Sequence, residues 1–309
     1  MHDYIKELTM LIRDGDMQNT YKMAWARAIV ESCVLDDSQS VIHFDTLSEK
    51  IFGYYWNQSI FFQLEQSPNP HNRPEIHQIV LEEIIRYQLK NDNQPKYFSK
   101  VHSVNIPVTK ISNVLKKDVS WRFLLLNKTE SSFYELDKKN KTITIKHPQI
   151  VKEYSDILFE LINYRWTQKL EEFNHSPRIS KKVLGTDRER VRRNNLSKFR
   201  KYLDIENPQR RCFFTDKVLT DDELSIDHVL PWSYLYSDDL WNLVYVDRGY
   251  NSSKSNHIPN EEVIERLEER NIRLLSLLTD SGFKDKQTEE LALCVERDLL
   301  RKFWVGCKG

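Results

Sequence analysis

The chain has 309 residues, with 46 Lys and Arg against 46 Asp and Glu, so its formal net charge is zero. At roughly 100–200 residues per domain this length predicts two domains, each with chain enough for a hydrophobic core. The 39% apolar content argues against intrinsic disorder, seven glycines argue against collagen or a Gly-rich nucleotide fold, and average neutrality argues against a uniformly basic DNA binder.

The first residues, Met1 to Glu7, are polar and charged and contain no apolar core of a secretory signal. No stretch reaches the roughly 18 apolar residues of a membrane span, so a cytoplasmic protein without membrane contact is expected. Cys33, Cys212, Cys294 and Cys307 are widely separated and form no C-x-x-C pair. Buried thiols, and neither a disulfide framework nor a Cys-rich zinc site, are expected of them.

In chain order, Tyr21 to Leu35 has the apolar spacing of a largely buried helix. Val41 to Phe44 reads as a short strand, and Asp45-Thr46 as the cap of a following helix. Three prolines between Gln66 and Pro74 predict a loop, after which Ile76 to Leu89 resumes helical periodicity. Phe133 to Leu136 and Thr142 to Ile145 flank the polar tip Asp137 to Lys141 and predict a β-hairpin. Residues 148–173 predict an amphipathic helix ending before Ser176-Pro177, and 260–278 and 286–304 predict two more. The fold class expected is mainly α with small β elements, with an α-rich N-terminal domain over 1–175 and a second domain over 176–309.

The charge is segregated. Residues 1–100 hold 10 basic and 14 acidic residues, whereas 178–211 hold 12 basic against four acidic, an excess of +8. A charge run is ordinarily a solvated face. Next to a site that handles phosphates it becomes a nucleic-acid contact, with Arg188, Arg190, Arg192, Arg193, Lys198, Arg200 and Lys201 as the candidate residues.

The informative stretch runs from Cys212 to Pro259, CFFTDKVLTDDELSIDHVLPWSYLYSDDLWNLVYVDRGYNSSKSNHIP. Glu223 to Val229 has a strand pattern with a carboxylate and an imidazole side by side, Asp227 and His228. Adjacent strand residues face opposite sides, so one can hold an ion while the other meets a reacting water. A polar-aromatic loop, Trp232 to Leu240, follows. Asn242 to Val246 reads as a second strand, and Asn251 as the start of a short helix carrying Lys254. Few hard oxygen ligands suit Mg²⁺ or Mn²⁺, which keeps waters and takes further oxygens from a phosphate. A neutral His beside such an ion can deprotonate a water for in-line attack, and a nearby Lys can stabilise charge on the phosphoryl oxygens.

These residues resemble an HNH endonuclease domain of the ββα-metal class, and within it the HNH domain of RNA-guided CRISPR effector nucleases. The likeness lies in the D-H-x-x-P-x-S motif (Asp227, His228, Pro231, Ser233), in Asn242 and Asn251 at matching offsets, and in the tail with Lys254, Ile258 and Pro259. It implies His228 as general base, Asp227 and Asn251 as ligands of Mg²⁺ or Mn²⁺, Asn242 as the residue that pins the loop and orients His228, and Lys254 as a phosphate contact. The likeness spans about 50 residues, and no counterpart of the guide-handling parts of CRISPR effectors is recognisable. Many members of the family hold a structural zinc with two Cys pairs. Here Cys212 remains, Thr215 stands in place of its partner, and Asp247 and Tyr250 occupy the second pair, so no structural zinc is expected. Phe213, Phe214 and Tyr250 are expected to fill that space.

The resemblance implies a metal-dependent DNA endonuclease, and by analogy an effector of bacterial antiphage defence whose N-terminal domain senses a signal, docks other subunits or reads DNA. Two alternatives stay open: a stand-alone sequence-specific restriction or homing-type nuclease, and a non-catalytic DNA-binding adaptor that retains the fold.

Overall fold

A computed structural model of the chain describes residues 3–91, 95–102, 104–174, 176–183, 195–250 and 257–308. The chain divides into two compact units: Met1–His175 with Ile179–Thr186, and Ser176–Arg178 with Asp187–Gly309. The architecture is mainly α with small antiparallel sheets.

The first unit contains α1 (Asp3–Asp14), α2 (Tyr21–Leu35), α3 (Phe44–Phe62), α4 (Glu75–Lys90), α5 (Val108–Val114), α6 (Pro148–Glu153), α7 (Ser155–Phe173) and α8 (Ile179–Val183). Helices α2 and α3 are buried over most of their circumference, and they form the centre of the core with Trp25, Trp56 and Trp166 fully buried. A three-stranded sheet lies in the order β1 (Val41–His43), β5 (Thr142–Ile145), β4 (Tyr134–Asp137). The β4–β5 turn is closed by Asp137, whose Oδ1 accepts from Lys139 N and Asn140 N at 2.9 Å each. A second small ribbon pairs β2 (Leu125–Leu126) with β3 (Thr129–Glu130).

Several predicted boundaries shift for local reasons. Strand β1 stops at His43 because Phe44 opens α3 and is buried edge-on against Trp25, ring centroids 5.3 Å apart. The N-cap is therefore His43, and Asp45 sits in the first turn, where a carboxylate meets the positive end of the helix dipole. The single helix expected over 148–173 breaks at Tyr154 into α6 and α7. Helices α1 and α5, and the π-turn Leu115–Val119 that follows α5, have no counterpart among the expected elements.

A polar cluster lies inside this unit. His77 is 1% exposed, its Nε2 is 3.2 Å from Ser59 Oγ, and its Nδ1 is 3.7 Å from Glu65. Burial pushes the His77 pKa down to about 4; Glu65 opposes the shift and Arg73 adds to it.

The second unit pairs β6 (Leu224–His228) with β7 (Leu243–Asp247), in the register Asp227↔Val244 and His228↔Leu243. Around this ribbon pack α9 (Arg200–Glu206), α10 (Trp232–Leu235), α11 (Glu261–Asp280), α12 (Lys286–Glu296) and α13 (Leu299–Lys308). The core joins Leu243 to Val246 of β7 with Ile264, Leu267, Leu274 and Leu278 of α11. Asn260 and Asp285 cap α11 and α12 by accepting from Val263 N and Thr288 N at 3.1 Å.

The four cysteines are buried, and no disulfide occurs among the described residues. No described helix is long and apolar enough to cross a membrane.

Candidate active site at the end of strand β6

Asp227 and His228 close β6, and the ribbon ends with them. The next backbone donor, Val229 N, reaches Asn242 O at 2.9 Å, after which Pro231 has no N–H to offer. Pro231 instead opens α10, its carbonyl accepting from Tyr234 N at 2.9 Å. This one helical turn falls within the stretch expected to be loop. It stops at Tyr236, whose φ of 50° is left-handed and whose carbonyl accepts from Arg178 Nη1 at 3.2 Å.

The loop then returns through the 3₁₀ turn Leu240–Asn242. Asn242 is fully buried and bonds the strand exit on both sides: Leu230 N donates to its Oδ1 at 2.7 Å, and its Nδ2 donates to Leu230 O at 2.9 Å. Its own N–H donates to Asp239 O at 2.9 Å. Helix α11 holds the same turn from below. The buried Arg270 donates to the carbonyls of Leu240, at 3.4 Å, and Leu243, while Asn271 Nδ2 donates to Trp241 O at 2.9 Å. Burial lowers the Arg270 pKa to about 10, with Glu206 opposing, which leaves the guanidinium charged at neutral pH.

The side chain of Asp227 is 17% exposed and that of His228 4%. Their nearest approach is 4.0 Å, from Asp227 Oδ1 to His228 Nδ1. The opposite ring nitrogen, Nε2, lies 3.0 Å from Oδ1 of Asp238, whose side chain is 7% exposed. Asp238 lies outside the motif and is absent from the residues singled out by sequence; its one visible signal is the Asp-Asp pair at 238–239 in an otherwise aromatic loop. Burial raises the pKa of the neighbouring Asp239, and the Ser237 hydroxyl, which donates to that carboxylate, opposes the shift.

Asn251 and Lys254 lie outside the described residues, as do Arg188, Arg190, Arg192 and Arg193. A helical turn is already present at 248–250, immediately ahead of the start expected at Asn251. Its cap is Asp247, whose Oδ1 accepts from Gly249 N at 2.8 Å and Tyr250 N at 3.3 Å. Lys217 lies 3.0 Å from Asp247 and holds its carboxyl below the usual range. Tyr250 stacks on Phe214 at 4.9 Å, and Phe214 meets Phe213 edge-on at 5.2 Å. Asp247 and Tyr250, the residues expected in place of a second Cys pair, are thus engaged in an ion pair and a ring stack.

The described residues of the basic run differ in their surroundings. Ile179–Thr186 belongs to the first unit, where Lys182 is buried with its Nζ 5.6 Å from the Phe62 ring centroid. Arg210 pairs with Asp204 and Asp221, and Arg211 with Asp216. Lys198, Arg200 and Lys201 are exposed at the start of α9, and Lys201 also lies 3.5 Å from Asp285. Trp232 packs against Tyr236 and Trp241 against Phe303, which makes both packing residues.

Among the described residues, no group of three or more His, Cys, Asp or Glu side chains is placed to hold a metal ion. The donor chemistry of Asp227, a partly exposed carboxylate at a strand end, nevertheless suits a hard cation that keeps most of its waters. No curated protein and no solved structure matches the chain. A family comparison does: residues 212–260, the stretch that contains β6, β7 and the loop between them, match the model described as HNH endonuclease, a likeness that supports an endonuclease-type function.

Proposed function

We propose that the protein is an endonuclease that hydrolyses DNA phosphodiester bonds with Mg²⁺ or Mn²⁺, the second unit carrying the chemistry. The observation that carries this reading is the adjacent pair Asp227 and His228 at the end of β6, inside the segment that matches the nuclease family. Asp227 and Asn251 would hold the cation, which when bound supplies positive charge to the scissile phosphate and the departing oxygen. His228 takes a proton from the attacking water, whose oxygen adds to phosphorus in line as the bond to the 3′ oxygen breaks. Asn242 keeps the strand exit, and with it the imidazole, in place. Lys254 would neutralise charge on the phosphoryl oxygens, and the exposed Lys198, Arg200 and Lys201 would meet backbone phosphates together with Arg188, Arg190, Arg192 and Arg193.

A role in bacterial antiphage defence, in the cytoplasm, rests on the likeness of the motif to CRISPR effector domains. A docking role for the first unit toward other subunits belongs to the same reading and rests on the same likeness. The decisive experiment is cleavage of supercoiled plasmid with Mg²⁺, Mn²⁺ or EDTA, comparing the wild type with His228→Ala. Metal-dependent nicking that is lost in the variant is expected. Absence of nicking by the wild type under every metal, with and without candidate partner subunits, rejects the enzyme, and equal nicking by both proteins rejects His228 as base.

A further inference from the structure

A neutral imidazole has one donor nitrogen and one acceptor nitrogen, and the partner of either one decides the role of the other. In His228 that partner is a carboxylate. Asp238 Oδ1 stands 3.0 Å from Nε2, with both side chains nearly closed to solvent. A bare Nε2 at that distance would set its lone pair against those of the carboxylate oxygen, so the proton belongs on Nε2. The acceptor is then Nδ1, on the ring edge that approaches Asp227.

We propose that Asp238 is the positioning residue of the site: it accepts from Nε2–H of His228, fixes the ring tautomer, and presents the Nδ1 lone pair on the side of Asp227. The proposal rests on the nuclease reading above. Water gives its proton to Nδ1, the resulting hydroxide oxygen bonds to phosphorus, and the 3′ oxygen leaves and is protonated from solvent. The ring thereby becomes an imidazolium, and through the exchange the Nε2–H bond to Asp238 keeps it in one orientation, the part that the orienting carboxylate plays in a Ser-His-Asp triad.

The loop around Asp238 is built to hold it. The Asp239 carboxylate accepts from Ser237 Oγ, and the Asp239 carbonyl accepts from Asn242 N at 2.9 Å. Asn242 in turn holds Leu230, two residues after His228. The base and its carboxylate are therefore each tied, through a close chain neighbour, to one buried anchor, Asn242.

The test is Asp238→Asn, which keeps the shape of the side chain while its amide can donate to Nε2 and favour the wrong tautomer. At saturating Mg²⁺, kcat is expected to fall about 10–100-fold, with KM for DNA and the Mg²⁺ midpoint unchanged. Asp238→Glu, which restores a carboxylate, should recover part of the loss. Independently of activity, ¹⁵N NMR of histidine-labelled protein, taken where the ring is neutral, should show His228 as the Nε2–H tautomer in the wild type and not in Asp238→Asn. A shifted Mg²⁺ midpoint with full kcat at saturation would make Asp238 a metal ligand and overturn the proposal, as would an Nδ1–H ring in the wild type. Cleavage lost in His228→Ala but unchanged in Asp238→Asn overturns the positioning role and leaves the nuclease reading standing. No cleavage by the wild type overturns both.

Discussion

Asn242 and Leu230 form a closed amide clasp, two hydrogen bonds of 2.7 and 2.9 Å between one side chain and one backbone unit. The clasp lies where the β6 ladder ends, so the direction in which the chain leaves His228 depends on it. Asn242→Ala would leave a buried N–H and a buried C=O without partners. A loss of about 1–3 kcal/mol for each unsatisfied group is expected, read by urea unfolding, together with at least a tenfold fall in plasmid cleavage. Wild-type stability and activity in this variant would show that the strand exit holds itself.

Arg270 acts one layer further out. It directs its buried guanidinium at the carbonyls of Leu240 and Leu243, on either side of Asn242. Arg270→Met keeps the bulk and removes the donors. It should lower stability by about 1–3 kcal/mol and reduce kcat without changing the Mg²⁺ concentration required. A shift in metal requirement alone would mean that α11 acts on the cation site and not on the loop.

The basic residues divide into two classes with opposite expectations. Replacing Lys198, Arg200 and Lys201 with Ala should flatten the dependence of log K on log salt, by about 0.9 for each phosphate that is no longer neutralised. Lys182→Ala should leave that slope alone and instead destabilise the first unit, because its side chain is buried against Phe62. Filter binding of a DNA duplex at several salt concentrations separates the two. An unchanged slope in the triple variant would return the exposed residues to a solvated face.

The first unit should be acid-sensitive through His77. Its folded pKa, about 4, lies below the ordinary value of 6.5, so between these pH values the unfolded chain binds a proton that the folded chain refuses. Its contribution is complete above pH 6.5 and is lost as the pH falls toward 4, by about 3 kcal/mol in all. Denaturation at pH 7 and pH 4.5 should show this loss in the wild type and a smaller one in His77→Gln. Equal losses would place the acid sensitivity elsewhere.

Elements governed by local rules were legible in the sequence. Helix α2 runs from Tyr21 to Leu35 as its periodicity indicates, and the β4–β5 hairpin turns on the polar tip at Asp137. Features set by tertiary packing were not. Phe44 is a strong strand former, yet it opens a helix because Trp25 offers it a buried face. Lys182 looks like any other member of a basic run until Phe62 covers it. Asp238 reaches His228 only because a single helical turn and the left-handed Tyr236 fold the loop back, and no periodicity in the sequence announces that path.

That path also makes loop length a chemical variable. Both ends of the 229–242 connection are tied to Asn242, while Asp238 sits ten residues beyond His228 with its heading set by the turn between them. One residue inserted between Ser233 and Ser237 would keep Asp227, His228, Pro231, Ser233 and Asn242 all present, lengthen only the interval between His228 and the two Asn, and swing the carboxylate off the ring. The count of residues in that loop is thus part of the site, and a pattern meant to find others built alike should specify the interval as strictly as it specifies Asp, His and Asn.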